Sequence, residues 1–258
     1  AGNVAIIEVK GLITGDGFSS AFESGASSSS VTKLLRQADT DDRFKAVIIE
    51  INSGGGTPVA SSEIARAVAA VDKPTVAWIR DAGASGAYWI ASSADYIIAH
   101  ELSVTGSIGV QGSYLQFSGL LDDYNVTYER LVAGKYKDTG SPMRELSPTE
   151  RMMLYEKLDA MHEVFIASVA KNRNLSYDDV QAVADGMYLL GLEALDEGLV
   201  DELGSRQEVV GYLEGALNIT VEPSYLRQKS SFASLFSTVN QEHGFAMGQG
   251  LGSSLTKD

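Results

Sequence analysis

Cysteine is absent from the 258 residues. That excludes a thiolate nucleophile, thiolate-ligated zinc and any disulfide framework. Histidine is scarce: His100, His162 and His243 are the whole supply. Of these, only His100, which follows an apolar run, is placed to serve a serine as base. No apolar stretch approaches the roughly 18 residues that cross a bilayer. Basic residues are in deficit, 20 against 34 acidic, for a net charge of −14. A field of that sign repels phosphate backbones, so nucleic acid is not an expected partner. The G-x-G of "GDGF" lacks the lysine that completes a phosphate loop. No cofactor and no metal is expected.

What is present is an ordinary globular composition, 44% apolar and 21% charged. Length and composition suit one large α/β domain over 1–225, followed by a tail over 226–258 with no sustained periodicity, expected to be flexible. Three short runs, "NVAIIEVKG", "FKAVIIEIN" and "KPTVAWIRD", are nearly continuous in apolar residues and rich in Val and Ile. Strands covered on both faces have this character. Between them lie "SSVTKLLRQADTD" and "TPVASSEIARAVAAVD", which carry apolar residues at helical spacing, with Thr57 placed to cap the second. Alternation of this kind predicts βαβ crossovers and a mostly parallel sheet with helices on its faces.

Further along, "ADYIIAH" and "VTYERLVAG" read as strands and "SGLLDDYN" as a short helix between them. "SPTERMMLYEKLDAMHEVFIASVAKNR" reads as a long helix: Ser147, Pro148 and Glu150 make a capping box, and Leu154, Leu158, Met161, Phe165 and Val169 share one face. "SYDDVQAVADG", "GLEALDEGLVDELG" and "RQEVVGYLEGALN" read as three more helices. The Gly- and Ser-rich stretch 15–30 reads as a loop.

Two turns carry the chemistry. "INSGGGTP" follows a strand and precedes a helix, and three consecutive glycines let backbone N–H groups approach a ligand or an oxyanion. "GASGAYWIASSAD" also joins a strand to a helix, with Ser85 at its tip among small residues. In a parallel sheet both turns lie beyond the carboxyl ends of the strands and face one crevice. The amide of Gly86, with that of Gly55 or Gly56, would form a two-donor hole. A serine needs a base. Besides His100, "LVAGKYKDTGSP" offers Lys135 and Lys137. Ordinary lysine is protonated at neutral pH, so such a base works only where its surroundings lower its pKa.

"INSGGG", "GASGAYWIASSAD", "VTGSIGV", "GKYKDTGSP" and "ADGMYLLGLEALDEGLVDELG", in this order, resemble the signal peptide peptidase A family of serine proteases over about residues 3–215. The resemblance implies the fold shared with the Clp protease proteolytic subunit and crotonases, and a serine–lysine dyad. By motif position Ser85 would be the nucleophile, Lys137 the general base and Ser107 the residue that orients the lysine amine. Gly55 or Gly56, with Gly86, would be the oxyanion hole. Relatives usually carry proline where Gly54 stands, which leaves the choice between Gly55 and Gly56 open.

The implied substrates are extended peptides with small and apolar side chains, such as signal-peptide remnants. The resemblance also implies a ring-shaped homo-oligomer and a membrane anchor in a segment absent from this chain, with the catalytic domain on the extracytoplasmic side. The alternatives on the same fold are a crotonase-type acyl-thioester enzyme and a non-catalytic membrane-associated scaffold.

Overall fold

Strands buried on both faces have no need to alternate polar and apolar residues, and the Val/Ile-rich runs accordingly lie in the middle of one sheet. The computed structural model describes residues 2–16 and 25–227. Its first elements are β1 (Val4–Lys10), β2 (Ile13–Thr14), β3 (Ala26–Ser27), α1 (Ser28–Thr40), β4 (Ala46–Ser53) and α2 (Pro58–Ala69). Then come β5 (Thr75–Ala84), α3 (Gly86–Ser92), β6 (Tyr96–Ala99), β7 (Val104–Gly106), α4 (Ser118–Asp123) and α5 (Pro148–Arg173). The last are α6 (Tyr177–Ala182), β8 (Tyr188–Leu190), α7 (Gly191–Asp196), β9 (Glu202–Leu203), α8 (Arg206–Leu217) and β10 (Pro223–Tyr225). Residues through Leu226 pack as one unit.

The sheet runs β10-β1-β4-β5-β6-β9, every neighbouring pair parallel. β5 is long enough to serve two partners on one edge. Val76–Ile79 pair with β6, and Ala82–Ala84 pair with β7, which carries β8 antiparallel. One face holds Ile7, Val9, Ile49, Ile51 and Ile79 beneath α1, α2, α3 and α5, through Leu35, Ile64, Ile90 and Phe165. The other face packs Ile6, Ile48 and Val76 against Val209 and Leu213 of α8. Each such aliphatic side chain contributes about 1.5–3 kcal/mol on leaving water. Farther along that second face, beyond the apolar cluster, the fully buried Glu50 accepts from Lys10 at 2.9 Å, Arg80 at 3.0 Å and Tyr225 at 2.9 Å.

Several sequence expectations are corrected. "VTYERLVAG" is not a strand: residues 126–132 are exposed and pair with no strand among the described residues, and a lone strand has no ladder to satisfy its amides. The stripe on α5 is buried only in its second half, at Phe165, Ile166, Val169 and Ala170, whereas Leu154 and Met161 are exposed. A 26-residue helix is about 39 Å long, more than the sheet beneath it covers. The helix expected in "GLEALDEGLVDELG" stops at Asp196; Gly198, at φ 71°, turns the chain so that Glu202–Leu203 join the sheet. Thr57 stands at the N-cap of α2 but makes no capping bond, and Pro58 fixes the first turn instead. Of the expected loop 15–30, Ala26–Ser27 form a strand and α1 starts at Ser28; residues 17–24 lie outside the described residues, as does the expected tail from 228 onward.

Candidate active site

β5 delivers Ser85 with its backbone already set. The strand ends at Ala84 and α3 begins at Gly86, leaving one residue to make the corner. Ser85 takes φ 53° and ψ −127°, a conformation costly for any residue with a Cβ, on the order of 1–3 kcal/mol. Its amide donates to the Gly106 carbonyl at 2.8 Å, and its own carbonyl accepts from Trp89 N–H at 3.0 Å. Hydrogen bonds to β7 and α3 thus hold the strain. A serine on a sharp strand-to-helix turn exposes its Oγ at the sheet edge, the geometry of a nucleophile elbow. Among the described residues, no side chain hydrogen-bonds to this Oγ.

The glycine turn lies against it because β4 and β5 re-register: Ile51 pairs with Ile79, then Ser53 pairs with Gly83. Gly55 sits at φ 106°, and a Cβ there would lie 2.9 Å from the Gly86 nitrogen and 3.0 Å from Ser85 Cβ. A Cβ on Gly56 would meet the Ile13 carbonyl oxygen at 1.9 Å. Both positions are closed to any side chain by approach distance alone. The choice between the two amides follows from their partners. Gly55 N–H donates to Ser53 Oγ at 3.0 Å and is engaged. Gly56 N–H and Gly86 N–H have no acceptor among the described residues. The Gly56 nitrogen is 3.4 Å from where a Cβ on Gly86 would stand, so the two unpaired amides are neighbours beside Ser85.

Together these turns border a cleft of about 660 Å³. Its walls include Leu12, the Gly54–Pro58 turn, Val110 and Gln111, with Trp89 and Phe165 among the apolar lining. The Trp89 and Phe165 rings stack with centroids 4.7 Å apart. Among the described residues, no charged side chain lines it. The roles of Ser53, Trp89 and Phe165 are not visible in the sequence: Ser53 is one more letter of the glycine motif, and Phe165 reads as plain helix core.

The other sequence candidates lie elsewhere. His100 lines a different cavity with Trp78 and Arg80, and its Nδ1 accepts from Leu102 N–H at 3.1 Å. It is no base for Ser85. His162 bonds the Ile108 carbonyl at 3.1 Å, and His243 lies outside the described residues. Ser107, at φ 48°, donates to the Gly186 carbonyl at 2.9 Å rather than to a lysine. Lys135 lies 5.0 Å from the Tyr136 ring centroid. Lys137 is exposed, does not line the Ser85 cleft, and has no side-chain partner among the described residues. The chain brings together Ser85, Gly55, Gly56 and Gly86; it does not bring Lys137 to them.

Comparison with known proteins decides the class. The model of peptidase family S49 matches residues 67–220, which include the Ser85 elbow and the Lys137 segment. This chain belongs to peptidase family S49. It is a serine protease of that family. A Methanocaldococcus jannaschii chain named as a protease is 34% identical over 225 residues, 85% of this chain and 71% of the relative. An Enterococcus faecium chain named as a signal peptide peptidase is 35% identical, covering 72% of this chain and 55% of the relative. Protease 4 of Haemophilus influenzae is 34% identical over 83% of this chain, which spans only 35% of that longer protein. Among solved structures, the 1510-N membrane-bound stomatin-specific protease, a lysine-to-alanine variant with a substrate peptide, matches with a TM-score of 0.55 at 18% identity, covering 93% of this chain and 98% of that one. The S49 chain therefore has the fold of these proteases, a mixed α/β layer structure on a mostly parallel sheet.

Proposed function

We propose that this S49 protease is an endopeptidase in which Ser85 attacks and Lys137 of a neighbouring copy is the general base. The observation that carries this reading is the strained Ser85 elbow beside two unpaired amides, in a cleft where the described residues supply no charged wall and no base. A neutral lysine amine takes the Oγ proton as Oγ adds to the scissile carbonyl carbon. The amides of Gly56 and Gly86 hold the resulting oxyanion. The amine leaves with the proton carried by the lysine, and water then releases the acyl group from Oγ by the same route in reverse. Two hydrogen-bond donors aimed at an oxyanion would also suit a crotonase-type enzyme. Such an enzyme needs no strained serine, and the elbow favours the protease.

The supply of the base by another copy is supported by what the chain leaves uncovered. Leu115, Leu120, Tyr124, Leu131, Met152 and Tyr155 are all more than half exposed, on the segment that holds Lys137 and on the adjoining half of α5. Large apolar side chains exposed together on one segment support an interface there, and a homo-oligomer would cover them. The cleft's neutral, largely apolar lining suits extended peptides with small and apolar side chains, including signal-peptide remnants. Action at a membrane is supported by the likeness to the 1510-N membrane-bound stomatin-specific protease; no described helix is long and apolar enough to cross a bilayer.

The test uses two inactive variants. Ser85→Ala and Lys137→Ala are each expected to cut hydrolysis of a fluorogenic apolar peptide by about 10³-fold or more. Ser85→Ala is also expected to abolish fluorophosphonate labelling. Mixed and reassembled, the two variants should regain activity, because some sites then combine an intact serine with an intact lysine. If the mixture stays as inactive as its parts while assembling normally, the lysine does not come from a second copy. If Lys137→Ala is fully active, it is not the base.

A further inference from the structure

The turn bearing Lys137 is exposed, yet it is built like a core. Asp138 lies between two guanidinium groups. Arg130 reaches it through Nε and Nη2, both at 2.7 Å, and Arg144 through Nε at 2.8 Å and Nη2 at 3.0 Å. Arg144 spans onward to Glu150, with Nη1 at 3.0 Å and Nη2 at 2.5 Å. Glu150 also accepts from Thr139 Oγ1 at 2.9 Å, and from the amide and hydroxyl of Ser147 at 2.9 and 2.8 Å. Arg130 Nη2 donates to the Lys135 carbonyl at 3.0 Å. Residues on both sides of Lys137 are thereby tied, at 135, 138 and 139, to the capped N-terminus of α5. The carboxylate side chains are nearly closed from water, 11% exposed for Asp138 and 5% for Glu150. The Lys137 side chain itself is exposed and has no hydrogen-bond or ion-pair partner among the described residues.

Surface ion pairs are usually worth little, and a lone pair would not repay ordering several long side chains. A chain of bidentate contacts that converges on a turn is different, because it fixes geometry. We propose that Arg144 and Asp138, with Arg130, are positioning residues that hold the Lys137 turn as a rigid pedestal, preset for insertion beside the serine of another copy. The proposal rests on the reading of Lys137 as general base. A flexible turn would have to be ordered at each insertion, and a base displaced by about 1 Å costs on the order of a hundredfold in rate.

The charged side chains packed around the turn are Arg130, Lys135, Arg144 and Glu150, with Asp138 at their centre. The test is the pH profile of kcat/KM for Asp138→Asn and Arg144→Gln in the assembled protease. Removing a negative charge and removing a positive one would move the midpoint of the alkaline rise in opposite directions if charge alone mattered. Loss of positioning leaves the amine more hydrated in both, and moves both midpoints up toward the ordinary lysine value. The expected result is that common upward shift, with kcat down about tenfold or more and KM within about twofold of wild type.

Arg144 and Glu150 also close the start of α5, so Arg130→Gln is the second variant. It removes one guanidinium from Asp138 and the tie to the Lys135 carbonyl, and leaves the cap intact; it should shift the midpoint the same way. Ser205→Ala, which removes the N-cap of α8, controls for lost stability and should leave the midpoint unmoved. Opposite shifts, unmoved midpoints, or a rise in KM at constant kcat would overturn the pedestal. Lys137→Ala separates the two readings. If it is inactive while Arg130→Gln and Arg144→Gln match wild type, only the pedestal fails; if it is active, the base assignment fails first.

Discussion

At the scale of single residues, the site depends on atoms that must be missing as much as on those present. Ser85 Oγ makes no hydrogen bond among the described residues, so Ser85→Ala should abolish activity while changing unfolding free energy by less than about 0.5 kcal/mol. Parallel urea melts and peptide assays check this; a large loss of stability would mean the hydroxyl has a structural partner. Gly86 is the counter-case. A Cβ there would lie 2.2 Å from Ser61 Oγ, a fully buried hydroxyl with no hydrogen-bond partner among the described residues. Gly86→Ala is therefore expected to lose most activity. Adding Ser61→Gly, which clears that atom, should recover part of it, and recovery is the readout. Ser85 and its small neighbours are visible in the sequence as a motif. That Gly55 N–H is engaged while Gly56 N–H is left unpaired is not, because it turns on Ser53 Oγ bonding one amide and not the other.

At the scale of elements, α3 is a seven-residue helix with every residue buried, and the candidate nucleophile Ser85 stands at its N-cap. Its anchor is Tyr88, whose hydroxyl donates to the Leu199 carbonyl at 2.8 Å from a fully buried position; burial pushes the phenol pKa well above its usual value. Tyr88→Phe leaves that carbonyl unsatisfied and is expected to cost about 1–3 kcal/mol by denaturant titration. α5 was legible to the residue at its start, since Ser147, Pro148 and Glu150 form the capping box that the spacing predicts. Its exposed first half was not, because a 3.6-residue period marks an apolar face without saying what covers it. The same limit explains "VTYERLVAG", whose strand-like pattern needs a partner that the described residues do not supply.

At the scale of the whole molecule, buried and paired carboxylates set the response to acid. Desolvation alone would raise the pKa of Glu50; hydrogen bonds from Lys10, Tyr225 and Arg80 more than reverse it. Hydrogen bonds from Arg130 and Arg144 hold Asp138 far below its usual range, and those from Arg144, then Ser147, do the same for Glu150. Each group has a folded pKa below its unfolded one. Its contribution is therefore complete above the unfolded value and is lost as pH falls through the folded value. The midpoint of thermal unfolding should be flat near neutrality and fall progressively below about pH 4.5. A midpoint that rose on acidification would contradict the sign of all three shifts.

The sequence by itself determined the parallel α/β sheet, the two turns that meet at its edge and the place of Ser85 at the tip of one of them. Each of these is a local consequence of side-chain period, of glycine's missing Cβ or of residue order. Only the tertiary structure decided which amide is available to an oxyanion, that His100 belongs to another cavity, and that Lys137 stands outward on a braced turn. These depend on hydrogen bonds and approach distances between segments far apart in the chain, and no local pattern of residues encodes which of several equivalent groups will be left unpaired.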